Sequence, residues 1–206
     1  MASTTRVYVE RGDKRAFASA ADWPGWCRAG KTEDAALEAL AAYASRYAHV
    51  AKLARLELPK TATNFDVVER SQGNATTDFG APGIPAKDES KPMTKQRADR
   101  LVSLLEACWK YLDQVVAKAP QSLRKGPRGG GRDRDKMFAH VLDAEDAYAR
   151  GIGLRMKQDD LKAFRKAFIA SLRDPNPDAR WPPAYAIRRT AWHSLDHAWE
   201  IEDRLP

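Results

Sequence analysis

The sequence predicts an α+β protein: a small β-sheet with one helix at the N-terminus, followed by a four-helix bundle. Three observations carry this reading. The first thirty residues hold short, turn-separated runs of strand character, "RVYVE", "RAFASAAD" and "CRAG". From Thr94 onward, four stretches repeat apolar residues at helical spacing. Between these regions lies a segment punctuated by Pro59, Pro82, Pro85 and Pro92, long enough to separate two units.

The elements follow in order. "GDK" supplies the turn between the first two strands, and the Pro-Gly of "WPGW" breaks the chain before the third. Thr32, followed by Glu33 and Asp34, reads as an N-cap with acidic residues at the positive end of a helix dipole. One helix is then expected through "AALEALAAYASRYAHVAKLARL", with Leu37, Leu40, Tyr43 and Tyr47 on its buried face. Residues 1–58 are thus expected to form one domain. Residues 59–93 contain Phe65, Val67, Val68, Phe79 and Ile84, so they read as an ordered connector loop lying across another surface. Residues 94–206 supply the bundle. Leu101, Leu104, Leu105, Cys108, Leu112 and Val115 stripe a helix over 95–118, and three more are expected near 133–150, 158–173 and 184–204.

Composition excludes several classes. No run approaches the ~20 apolar residues of a membrane span. Only Cys27 and Cys108 are present, and the N-terminus lacks the apolar core of a signal peptide, so a cytoplasmic protein with reduced thiols is expected. The net charge of +7 sits wholly in residues 91–206, much of it in the basic, glycine-rich stretch 124–136. That stretch has no aromatic side chains for base stacking, so it reads as a solvated loop rather than a nucleic-acid site.

The chemistry concentrates in "TAWHSLDHAWEIEDR". At 100° per residue, His193, His197, Glu200 and Arg204 fall within about a 60° sector, with Trp192, Leu195 and Trp199 outside it. An HxxxH pair directs two imidazoles at one metal, and a catalytic site needs at least a third protein ligand. His140 on the second bundle helix can supply it, flanked on its face by Ala144 and Ala147. His49, in the first half, reads as structural. Taken alone, an HxxxH pair is more often a surface or satisfied polar pair than a metal site.

Residues 94–206 resemble the DinB/YfiT-like superfamily of metalloenzymes, through "KMFAHVLDAEDAYAR" and "RRTAWHSLDHAWEIEDR". The resemblance implies a divalent metal held by His140, His193 and His197; zinc, nickel, manganese and iron all accept imidazole. It implies hydrolysis or group transfer on a small molecule, thiol-dependent transfer included. "ADWPGWCRAGKTEDAALEALAAYA" is similar to the HicB-like pattern of a strand, a Pro-Gly-Cys turn and a Gly-x-Thr helix start. Trp26, inserted before Cys27, departs from that pattern. HicB proteins are antitoxins that bind a small RNA-cleaving toxin, which is the alternative functional reading.

Further site residues are expected around the histidines. Glu200 is a candidate fourth ligand, imidazole acceptor or general base, with an ion pair to Arg204 as its plainer role. Arg189 is a candidate for holding a substrate carboxylate or phosphate. Asp78 and Phe79 are candidates for reaching inward from a loop that caps the bundle. A homodimer is compatible with the sequence, and no membrane partner is expected.

Overall fold

The structure is a computed structural model that describes residues 4–126 and 130–206. It is α+β. Strands β1 (Thr5–Arg11), β2 (Ala16–Ala20), β3 (Cys27–Gly30) and β4 (Phe65–Gln72) form one mixed sheet in the order β3-β2-β1-β4. Neighbouring pairs β1–β2 and β2–β3 are antiparallel, and β4 lies parallel to β1. Helices α1 (Glu33–Ala42), α2 (Ala44–Leu53), α3 (Ala75–Phe79), α4 (Lys95–Lys118), α5 (Arg134–Gly151), α6 (Leu161–Arg173) and α7 (Pro183–Asp203) complete the described residues.

Local chemistry explains most boundaries. The Thr32 side chain accepts from the Ala35 backbone N–H, and Thr94 and Asp160 cap α4 and α6 in the same way. Pro182 and Pro183 start α7, where a missing N–H costs nothing. The single helix expected over 35–56 is two helices. Tyr43 leaves helical geometry at φ −93°, ψ 2°, without any glycine or proline to announce the break.

The segment 59–93 is more than a connector loop. It contributes β4, an edge strand of alternating half-buried and exposed residues, and the short α3. It is pinned on both sides. From β1, buried Glu10 accepts hydrogen bonds from the Thr77 hydroxyl and from the backbone N–H groups of Gly83 (2.9 Å) and Ile84 (3.0 Å). From α7, Arg188 donates to the Ile84 carbonyl and forms an ion pair of 2.6 Å with Glu89. The segment lies against both β1 and α7, and its anchors are buried charges.

The turn at Trp23–Trp26 buries its second tryptophan. Trp26 is fully buried, stacks on Tyr47 at 5.5 Å between ring centroids, and donates its indole N–H to the Leu40 carbonyl. Gly25 adopts φ +91°, and a Cβ there would sit 2.8 Å from Leu195 Cδ1 and 3.1 Å from Cys108 Sγ. Only glycine meets both demands. The turn thus plugs into α4 and α7, and one apolar core runs from Val7 and Val9 through Trp26 and Tyr47 to Leu104, Phe168 and Trp199.

Helix α7 is enclosed. Helices α4, α5 and α6 pack along it, and Trp192 meets Phe17 of β2 edge-on at 6.0 Å. Every residue from Ala184 to Leu195 is buried, so the polar side chains of that stretch, His193 included, stand inside the molecule. The 124–136 loop lies partly outside the described residues. No helix is long and apolar enough to cross a membrane among the described residues.

Candidate metal centre

Helix periodicity sets His193 and His197 one turn apart on α7, and the packing of α5 against α7 brings His140 to them. One ligand-capable nitrogen from each lies within 4.8 Å of those of the other two. Ring centroids are 5.0 Å apart for His140–His193, 5.1 Å for His140–His197 and 4.6 Å for His193–His197. The three rings meet at steep angles, 71° to 84°, so their edges converge instead of stacking.

The nitrogen spacing suits one ion. His193 Nε2 and His197 Nε2 are 3.2 Å apart. Two nitrogens at about 2.0–2.1 Å from a tetrahedral zinc would be separated by about 3.3 Å. The outer partners also fit on one side. His197 Nδ1 donates to Glu200 Oε2 at 3.1 Å, which fixes the tautomer and leaves the Nε2 lone pair directed at the cluster. Glu200 Oε1 in turn accepts from Arg204 Nη1 at 3.0 Å, and Arg204 Nε donates to the Arg124 carbonyl at 2.7 Å. Glu200 thus contacts Arg204 through one oxygen and His197 through the other.

Charge states follow from the surroundings. Burial, reinforced by the two neighbouring imidazoles and by Arg189 and Arg132, holds His193 well below the ordinary imidazole range. Burial and Arg132 lower His140 as well, against the opposing pull of Asp143 and Glu200. The hydrogen bond from His197, aided by Arg204, holds the Glu200 carboxyl below its usual value. The site therefore presents neutral rings at His140 and His193 beside an ionised carboxylate at neutral pH, the forms a divalent cation requires.

The cluster is expensive for the fold. His193 is buried, and its Nδ1 has no hydrogen-bond partner among the described residues. An unpaired buried nitrogen of this kind costs about 1–3 kcal/mol. His193 Nε2–H donates to His197 Nε2 at 3.2 Å, because the proton of His197 is held on Nδ1 by Glu200.

The remaining expected residues are distributed unevenly. Arg189 is buried one turn before His193, with its guanidinium 5.5 Å from the Tyr148 ring centroid and 5.1 Å from that of Trp192. Asp78 faces the opposite way: its Oδ1 accepts from the Lys14 backbone N–H at 2.7 Å and closes the β1–β2 turn. Phe79 is 87% exposed and does not reach inward, because the three-donor clamp of Glu10 turns this end of α3 outward. The loop does border the α7 side, through Pro82, whose carbonyl accepts from Arg189 Nη1 and from the Tyr185 hydroxyl. His49 is exposed on α2, away from the cluster. Asp196 pairs with Arg28 at 2.8 Å.

Tyr148 was not singled out by the sequence, although it sits two turns beyond His140 on α5. Its ring centroid lies 5.9 Å from that of His193. Cys27 is sealed, its Sγ accepting from the Ser19 hydroxyl at 3.0 Å, and burial pushes its thiol up to about 12. Compared with known proteins, the chain matches no family model, no curated protein and no solved structure.

Proposed function

We propose that the protein is a divalent-metal-dependent enzyme acting on a small molecule by hydrolysis or group transfer, with α4–α7 as a DinB-like four-helix bundle around the site. The carrying observation is the convergence of His140, His193 and His197 within 4.8 Å, from two helices far apart in sequence. These three rings would hold the ion. When bound, a metal on three neutral imidazoles keeps coordination positions open for Lewis-acid activation of a water, thiol or carbonyl.

The chain's own groups have separate tasks. Glu200 holds the His197 proton on Nδ1 and offers an ionised carboxylate beside the cluster for accepting a proton. Arg204 steadies Glu200 from the far side. The enclosure of α7 limits water around His193 and so strengthens every electrostatic interaction there.

A panel of esters, amides and thiol-plus-electrophile pairs, offered to protein loaded with zinc, nickel, manganese or iron, tests this reading. Turnover should vanish on chelation and in His193→Ala. Turnover indifferent to both would refute it.

A second reading, a HicB-like binding protein, is favoured by the front-end order β1-β2-β3-α1 with its Pro24-Gly25 turn before Cys27. It requires a toxin-like partner encoded beside this chain, and co-expression that relieves that partner's toxicity would support it.

A further inference from the structure

Among the described residues four arginines are buried: Arg165, Arg188, Arg189 and Arg204. Arg165 is paired with Glu145 and Asp113, Arg188 with Glu89, and Arg204 with Glu200. Arg189 has no carboxylate partner among the described residues. Its one hydrogen bond runs from Nη1 to the Pro82 carbonyl, and its buried Nε has no acceptor. A guanidinium is always charged, and a buried charge without a counter-ion is strongly disfavoured.

Arg189 also lines a cavity of about 470 Å³, within the size range of small-molecule sites. Tyr148, Trp181 and Tyr185 form its aromatic wall, with ring centroids 5.2 Å apart for Tyr148–Trp181 and 5.0 Å for Trp181–Tyr185. Arg180 stands at the exposed rim, 5.4 Å from the Trp181 centroid. The wall is a deliberate close approach. A Cβ on Gly151 would lie 2.9 Å from Trp181 Cδ2, so a side chain there would displace the indole. The cavity borders the histidine cluster, because Tyr148 touches both and Arg189 precedes His193 by one turn.

We infer that this cavity binds a small carboxylate with a flat, conjugated or aromatic body, Arg189 pairing with the carboxylate and the Tyr148–Trp181–Tyr185 wall packing against the ring. The missing counter-ion specifies a negative charge, the planar fork of arginine favours a planar two-oxygen acceptor, and the aromatic wall specifies a flat apolar remainder. That this ligand is a substrate rests on the metal-centre reading; that it binds does not.

Benzoate is the probe, titrated into the full chain with and without zinc and followed by calorimetry and Trp181 fluorescence. Benzoate should bind, benzamide and inorganic phosphate should bind at least about tenfold more weakly, and Arg189→Gln should weaken benzoate by about tenfold or more. Arg189→Lys keeps the charge without the fork and should fall between, and exposed Arg180→Gln should cost a few-fold in a protein certain to fold. Benzoate binding no tighter than benzamide to the wild type, or unchanged in folded Arg189→Gln, overturns the inference even when metal is bound. Benzoate bound with no metal at the histidines upholds the cavity and overturns the substrate assignment.

Discussion

His193 and His197 face each other Nε2 to Nε2 across 3.2 Å, with His140 closing the third side. As neutral rings the two make one hydrogen bond, His193 Nε2–H to His197 Nε2; with both Nε2 atoms unprotonated the same spacing suits two ligands of one cation, and several outcomes follow from the groups arranged around it.

Glu200 acts on the cluster through His197 Nδ1. Removing such an outer partner lowers metal affinity about 10–100-fold. Glu200→Ala should show a loss in that range by chelator competition, and Glu200→Gln, which keeps an acceptor oxygen but no charge, a smaller one. Affinity unchanged within about twofold in Glu200→Ala would mean that the carboxylate serves only Arg204.

The depressed histidines make metal-free stability depend on pH in a defined direction. His193 and His140 stay neutral in the native state at a pH where the unfolded chain, with imidazoles near 6.5, takes up protons. The unfolded state then binds more protons, so stability is full above about pH 6.5. It is lost as pH falls towards the native values, by up to about 1.4 kcal/mol per unit for buried His193 and by less for the more exposed His140. Urea midpoints at pH 7.5 and 5.5 should drop further in the wild type than in His193→Gln. An equal drop in both would contradict the burial argument. Carboxylates titrating lower cancel in that comparison.

Glu10 is the anchor of the 77–84 segment. Glu10→Ala strands the Thr77 hydroxyl and two backbone donors, so a loss of about 3 kcal/mol is expected in denaturant unfolding. Proteolysis should then open the chain first near Phe79. A loss below about 1 kcal/mol would show that the clamp is not what holds this segment.

Both cysteines are fully buried, and burial raises both thiols, Cys27 to about 12. Neither should react with a thiol reagent at pH 8 until the chain is unfolded, when both should. Rapid native labelling of Cys27 would argue for an open turn and a reactive role.

What was readable in the sequence was local. The apolar stripe of 95–118 marks α4 to the residue, because helical periodicity acts within a few positions. The break at Tyr43 was invisible, since the apolar spacing runs on through it. Strand β4 was hidden because "FDVVERSQ" is half polar and pairs with β1 sixty residues away, a partnership no local window contains. The site divides likewise. Helical spacing and one further histidine pointed to the triad. The orphan charge of Arg189 and the Glu10 clamp are tertiary facts, and the outward position of Asp78 and Phe79 follows from that clamp.

The most direct measurement is metal content. Wild-type protein and a His193→Ala/His197→Ala variant, purified side by side without added chelator, should differ by close to one divalent ion per chain, with the variant near zero. Equal, near-zero metal in both, persisting after incubation with zinc, nickel, manganese or iron and removal of excess, would contradict the metal centre.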